Sequence, residues 1–400
     1  MTSVTPAVSK EPANAPGVQF EWGLLHAGFV AIGIITPLLG PLIPTLKNQW
    51  SITDAQAGSL FASQFTGSFV GTILTSFLLP RLGFSKMLSL GFLCFALGFS
   101  FFGLGPWTIS ALAVALYGFG YGLANPGTNL RATQLPSGNV AAAVSLLNFS
   151  WGIGAVACPI LVGFLIPMIG VRGLALCLMC ISGLIAAVHY FKHVPEAAAP
   201  TAPIKRSLAD WMEQLRVPAA VPLVLLFFLY VGSEVGVGGW VALQEKRLPG
   251  AGSSALTLAP SFFYGMLLFG RGIAPFLLRR ISTPKLSLVG LISGAIGAAV
   301  ISLSPHPYLL YAGAAIAGFG FAPQFPIFVT WLAEIFKMNA TWLSALYFGA
   351  GGLGGAVLPW LIGQISTRTG SLSKAFLVPL LACVVMALLS LRARPREAAA

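Results

Sequence analysis

Glu234 lies at the centre of a long apolar segment, and Arg271 falls inside another. An ionised side chain at the middle of a bilayer costs about 2.5 kcal/mol or more, so such residues face a cavity or a partner. A carboxyl group can also be neutral, so Glu234 offers proton-coupled movement of a solute. The plainer alternative is a protonated Glu pinned to neighbouring backbone. Arg271 stands roughly 12 Å above Arg279 along a helix rising 1.5 Å per residue and cannot be neutralised. It either pairs with Glu234 or snorkels toward water as part of a gate. Arg81 and Arg280 follow the second and eighth apolar segments and are further gating candidates.

Amides and aromatics form the second set. Gln64, Asn125, Asn129, Asn148, Gln244 and Gln324 recur at mid-segment, with Trp151, Trp240, Tyr264 and Tyr347. Facing lipid, each amide would be costly. Facing inward, amides both donate to and accept from hydroxyls, while ring faces cover the C–H surface of a sugar. This combination suits a neutral polyhydroxylated ligand, and helix–helix adhesion is its competitor. His26 is read as a packed histidine before a proton relay.

The elements that position these residues are membrane spans. The 400 residues are 56% hydrophobic and only 8% charged, with mean hydropathy +0.87, far below the charge a water-facing surface needs. Apolar runs between polar or Pro/Gly breaks number twelve, centred near 32, 68, 95, 120, 152, 182, 232, 267, 295, 319, 352 and 382. The alternation of a barrel strand is absent, so the expected fold is all-α, with twelve transmembrane helices. With the N-terminus inside, fifteen Lys and Arg fall on inner loops and tails (among them Lys10, Arg131, Lys192, Lys205, Arg206, Arg216, Lys285, Arg394 and Arg396). Six (Lys47, Arg172, Lys246, Arg247, Arg368 and Lys374) fall outside. That bias places both termini in the cytoplasm, in an inner membrane. The net charge of +12 therefore reflects topology, and no aromatic-interleaved basic patch suggests nucleic acid.

The chain repeats itself at an offset of roughly 200 residues. Gly118-Phe119-Gly120-Tyr121 and Pro126 return as Gly318-Phe319-Gly320-Phe321 and Pro326; Gly154, Pro159, Gly163 and Gly170 return as Gly354, Pro359, Gly363 and Gly370. Six spans is an even number, so the repeat is parallel, with a pseudo-twofold axis along the membrane normal. The expected organisation is a disordered cytoplasmic tail (1–19), an N-terminal six-helix bundle (20–193), a cytoplasmic linker (194–218) with a short surface helix around Leu208–Leu215, a C-terminal six-helix bundle (219–392) and a tail (393–400). Cys94, Cys158, Cys177, Cys180 and Cys383 all fall in apolar spans and imply no disulfide framework. The formal dinucleotide fingerprint beginning at Gly349 lies inside a span and is dismissed. No Walker loop, metal-spaced cluster or catalytic triad stands out, so neither an enzyme nor a cofactor or metal is expected.

This 6 + 6 repeat resembles the major facilitator superfamily over nearly all of the chain after residue 20. More narrowly, it resembles the fucose/proton symporter group and related sugar transporters. Tyr230-Val231-Gly232-Ser233-Glu234 with Gly239-Trp240, Gly270-Arg271, Gly122-Leu123-Ala124-Asn125-Pro126, and Asn148 with Gly152 and Gly154 carry the resemblance. Two features depart from it. In the loop after span 2, Ser76 and Pro80 replace the superfamily's Gly and Asp, leaving Arg81, Gly83 and Lys86. An acid near the Ala-Asn-Pro segment falls on Tyr121, and helix 1 is expected to hold no acid. The resemblance implies alternating access by a secondary transporter, with a small neutral polar solute, a sugar, as substrate and protons as a candidate coupling ion. The lipid bilayer is the other partner, and a monomer is expected. An exporter of amphipathic drugs or metabolites is the alternative, and a membrane sensor that kept the fold is a third.

Overall fold

The computed structural model describes residues 15–137, 139–192, 208–252 and 256–393. Lys10, Lys205, Arg206, Arg394 and Arg396 lie outside the described residues, as do 1–14 of the first tail and 394–400 of the second. The rest is helical: α1 (Pro16–Ile35), α2 (Leu39–Trp50), α3 (Asp54–Phe101), α4 (Trp107–Gln134), α5 (Val140–Phe191), α6 (Leu208–Leu215), α7 (Ala220–Arg247), α8 (Ala259–Leu277), α9 (Thr283–Leu303), α10 (Pro307–Phe321), α11 (Gln324–Phe336), α12 (Ala340–Thr369), α13 (Leu372–Ala375) and α14 (Leu377–Ala393). The short linker helix predicted from sequence is α6. Helix α1 begins at Pro16, inside the expected tail, because a proline in the first turn has its φ set for a helix and lacks only an N–H that would be unpaired anyway.

Nine helical stretches among the described residues are long and apolar enough to cross a membrane, where the sequence predicts twelve. Two of them account for part of the difference. Helix α3 has 48 residues and α5 has 52, more than twice what a hydrocarbon core of about 30 Å requires. Each is bent once at a left-handed glycine, Gly83 (φ 75°) or Gly170 (φ 65°), a conformation that costs other residues strain. Helix α8, with Arg271 in its 19 residues, is not among the nine.

Contacts divide the chain into two compact units. One holds residues 1–36, 63–158 and 165–203; the other holds 37–62, 159–164 and 204–400. Each is built on close backbone approach at glycine, and the sequence repeat is visible in which backbones approach. A Cβ on Gly120 would lie 2.5 Å from the carbonyl oxygen of Gly91, and one on Gly320 would lie 2.5 Å from that of Gly290. The pair Gly154 and Gly354 behaves alike, pressing on Val30 and Phe228. Without water to drive apolar association, such close packing is what holds spans together.

The packing predicts a sign. Ala ordinarily stabilises a helix relative to Gly, but a Cβ at Gly354 would come within 1.8 Å of the Phe228 carbonyl oxygen. Gly354→Ala should destabilise the detergent-solubilised protein by roughly 1–3 kcal/mol, read as a lower Tm. Gly352→Ala, with nothing within 4 Å, should leave Tm unchanged or raise it.

Candidate functional site

Tyr230 and Glu234 are four residues apart on α7 and share a face. The Tyr230 hydroxyl donates to Glu234 Oε2. From α8, Arg271 Nη2 reaches the same Oε2 and the Tyr230 hydroxyl, both at 3.4 Å. The sequence left Arg271 between pairing and snorkelling; here it pairs with Glu234. Neither side chain is sealed, since Glu234 is 15% and Arg271 30% exposed. The pair joins α7, which is long and apolar enough to cross a membrane, to α8. Protonation of Glu234 would remove one of its charges.

A second cluster joins α4 and α5. Asn129 donates to the Asn125 backbone carbonyl at 3.0 Å, and its own side-chain oxygen accepts from Asn148 Nδ2 at 3.0 Å. Asn148 also donates to the Val144 carbonyl. The Asn125 side chain is half-buried and makes no hydrogen bond among the described residues. Its neighbour Pro126 has no N–H for the Gly122 carbonyl, and Thr75 supplies the missing donor at 3.1 Å. In the same unit, His26 meets Ser150 Oγ at 2.7 Å, and half-buried Trp151 lies three residues after Asn148.

The other candidates are committed to packing. Gln64 donates to the Thr36 carbonyl where the first span breaks before Pro37. Gln324 is fully buried, bonded to Ser287 and the Gly320 carbonyl. The Trp240 indole is fully buried and donates to the Pro359 carbonyl. Tyr347 reaches the Ala220 carbonyl, Tyr264 packs over Gly238, and Gln244 donates to Ser373. Arg81 and Arg280 are exposed and form no ion pair among the described residues.

Residues 25–341 match the family model described as Major Facilitator Superfamily. The chain belongs to that superfamily. Among its relatives is the glucose/mannose transporter of Bacillus subtilis, 22% identical over 84% of this chain and 86% of that protein. Another is sodium-dependent glucose transporter 1A of Mus musculus, 20% identical over 85% and 88%. The solved fucose:proton symporter of E. coli shares the fold, with TM-score 0.66, 16% identity and coverage of 95% of this chain and all of that one. This is a multi-pass membrane transporter of the alternating-access type and not an enzyme.

Three buried acids of this superfamily member escaped the sequence reading. Glu245 accepts from Tyr311 and from the backbone N–H groups of Leu258 and Ala259, fixing the start of α8. Asp54 binds Lys47 and Arg247. The third corrects the expectation that helix 1 holds no acid. Because α1 starts at Pro16, Glu21 lies within it, wholly buried, bidentate to Arg131 (2.8 and 2.9 Å) and 2.6 Å from Lys192 Nζ. Arg131 also stands 5.6 Å over the Phe84 ring. The signal was available: Arg131, a basic residue inside helix 4, needs an acid, and Glu21 stands at the start of the first apolar run.

Removing one member of a buried ion cluster strands the others, typically at 3–5 kcal/mol. Glu21→Gln should lower unfolding stability by about that amount. Replacing Glu21, Arg131 and Lys192 together by Met should recover most of the loss, as measured by thermal unfolding in detergent.

Proposed function

We propose that this protein is a secondary active transporter of a small neutral polar solute, a sugar, coupled to protons through Glu234. The observation that carries the reading is the Tyr230–Glu234–Arg271 cluster, an ion pair joining α7 and α8 with both charged side chains part-exposed. A proton neutralises Glu234 and loosens its hold on Arg271, which changes the relative stability of two conformations. A sodium ion would have to settle beside the Arg271 guanidinium, which repels it. The solute falls to the amides of Asn125, Asn129 and Asn148, whose donors and acceptors match hydroxyls. The sugar-transporting relatives in Bacillus subtilis and mouse support the same solute class, as the fucose:proton symporter does for the coupling.

Twelve crossings in two six-helix bundles, with both termini cytoplasmic, complete the proposal. Counting two crossings each for α3 and α5, and one for α8, brings the nine apolar stretches to that number. The charge bias of the loops supports the sidedness. In intact cells an impermeant maleimide should label Pro305→Cys and leave Arg280→Cys unlabelled, both positions being exposed. The opposite pattern reverses the topology.

The coupling test uses proteoliposomes and radiolabelled glucose, mannose and fucose. An imposed pH gradient, inside alkaline, should drive accumulation of one of them, and an imposed sodium gradient should not. Glu234→Gln should abolish that accumulation while equilibrative exchange continues. Accumulation surviving the substitution would make Glu234 a structural pin.

A further inference from the structure

The last turns of α7 and α12 border a recess of about 450 Å³, walled in part by Gln244, Arg247, Leu248, Ser366 and Ser371. Its whole wall belongs to one compact unit, the one that holds residues 204–400. The volume is within the range of roughly 300–1,000 Å³ that small-molecule sites occupy. Loop charges favour the outer face for these helix ends.

Gln244 shows what the recess is built to meet. The side chain is only 2% exposed, and its Nε2 is spent on Ser373 Oγ at 2.8 Å. Its Oε1 accepts from nothing among the described residues, whereas the amide of Gln324 has both ends engaged. An amide oxygen fixed in a cavity wall without a protein partner is left to whatever fills the cavity. Three hydroxyls of the same wall complement it. Ser373 Oγ already accepts from Gln244, Ser371 Oγ from the Lys374 N–H at 3.3 Å, and Thr367 Oγ1 from the Ala55 N–H at 2.8 Å. Each keeps an O–H that finds no acceptor among the described residues. The wall thus presents a spare acceptor beside spare donors, and a ligand hydroxyl can serve both at once.

Charge narrows the class of ligand. Both signs stand in the wall, already paired: Arg247 Nη2 lies 2.7 Å from Asp54 Oδ1, and Asp54 is held from its other side by Lys47 at 2.6 Å. An anion brought to Arg247 would meet Asp54, and a cation brought to Asp54 would meet Arg247 and Lys47. A neutral hydroxylated molecule meets neither penalty. Leu248 and Leu372, also in the wall, offer apolar surface to its C–H groups.

We propose that this recess is a second binding site for a neutral hydroxylated solute of monosaccharide size. It shares no residue with the Asn125–Asn129–Asn148 group of α4 and α5, and it rests on the solute class proposed above. Gln244 Oε1 accepts from a solute hydroxyl, the Ser371 and Ser373 hydroxyls donate to solute oxygens, and the paired charges turn ionic ligands away.

The test is protection from alkylation in detergent, with single cysteines in a cysteine-free background. Leu248→Cys, half-buried in the wall, is the probe, and Arg368→Cys, exposed and outside the wall, is the control. Glucose, mannose or fucose should slow maleimide labelling of the first and leave the second unchanged. Gln244→Met should raise the sugar concentration for half-protection roughly three- to tenfold, the loss of one net hydrogen bond. Asn148→Ala should leave that concentration where it was. Equal protection at both cysteines overturns the proposal, as does protection that Asn148→Ala removes or that Gln244→Met leaves unchanged. If Gln244→Met does not fold, Thr367→Trp, which fills the recess from an exposed position, decides alone: surviving protection overturns the site and lost protection sustains it. Transport of one of these sugars without protection sinks the recess site alone, and a protein that neither transports nor binds any of them sinks the solute class and this site together.

Discussion

Pro126 removes the hydrogen-bond donor that the Gly122 carbonyl would otherwise meet one turn along α4, and Thr75 on the neighbouring helix replaces it. Nothing outside the protein could have done so, because the hydrocarbon core contains no water. The same constraint acts at the break before Pro37, where Gln64 takes the Thr36 carbonyl. At both places a carbonyl freed where a span bends or breaks recruits a side chain from an adjacent helix. Helix bending and polar adhesion are there one device, and it fixes where Gln64 and Thr75 stand.

That constraint explains which residues the sequence revealed. Polar groups at mid-span are expected to face inward, and Gln64, Gln244 and Gln324 do, while Asn148 is exposed; facing inward is in any case not the same as facing a ligand. Asn129 and Asn148 pair with one another beside Asn125, a group with spare donors and acceptors. Gln324, Trp240 and Tyr347 were equally good candidates by type and depth, yet each is consumed by a backbone or hydroxyl partner. One-dimensional spacing does not register that difference, because it depends on which neighbouring helix has an orphaned carbonyl at the same depth. The glycine repeat was legible because it records close backbone approach, and the two copies reproduce that approach at Gly120 and Gly320. Glu234 and Arg271 stood out because little else near them is charged. Glu21, Asp54 and Glu245 were hidden by position. They lie near span ends, where acids and bases are common and ordinarily solvated, and only the fold turns them inward.

The four acid-centred clusters then differ mainly in what water can reach. Glu245 is satisfied chiefly by backbone N–H groups at the start of α8, a partner set that positions a helix and does not depend on an opposing side-chain charge. Glu21 faces Arg131 and Lys192 with all three sealed. A sealed ion cluster is poor at changing state, since any separation leaves charge in a low dielectric. Its contribution is to fix α1, α4 and the end of α5 as one piece.

Glu234 is part-exposed and Asp54 is buried, but the cations around both are open. Both are held by guanidinium groups at least 30% exposed, so their partners are rehydrated as soon as they separate. Transport by alternating access needs both kinds of cluster: rigid bodies that keep their shape, and contacts between moving parts that break at small cost. A ligand or proton shifts such an equilibrium only through its differential affinity for the two states. A small shift suffices only if the contacts it opposes are themselves weak. A single ion pair with both members part-exposed meets that requirement at Glu234. The acid clusters are therefore divided by the exposure of their cations, with sealed ones holding the helices and open ones able to let go.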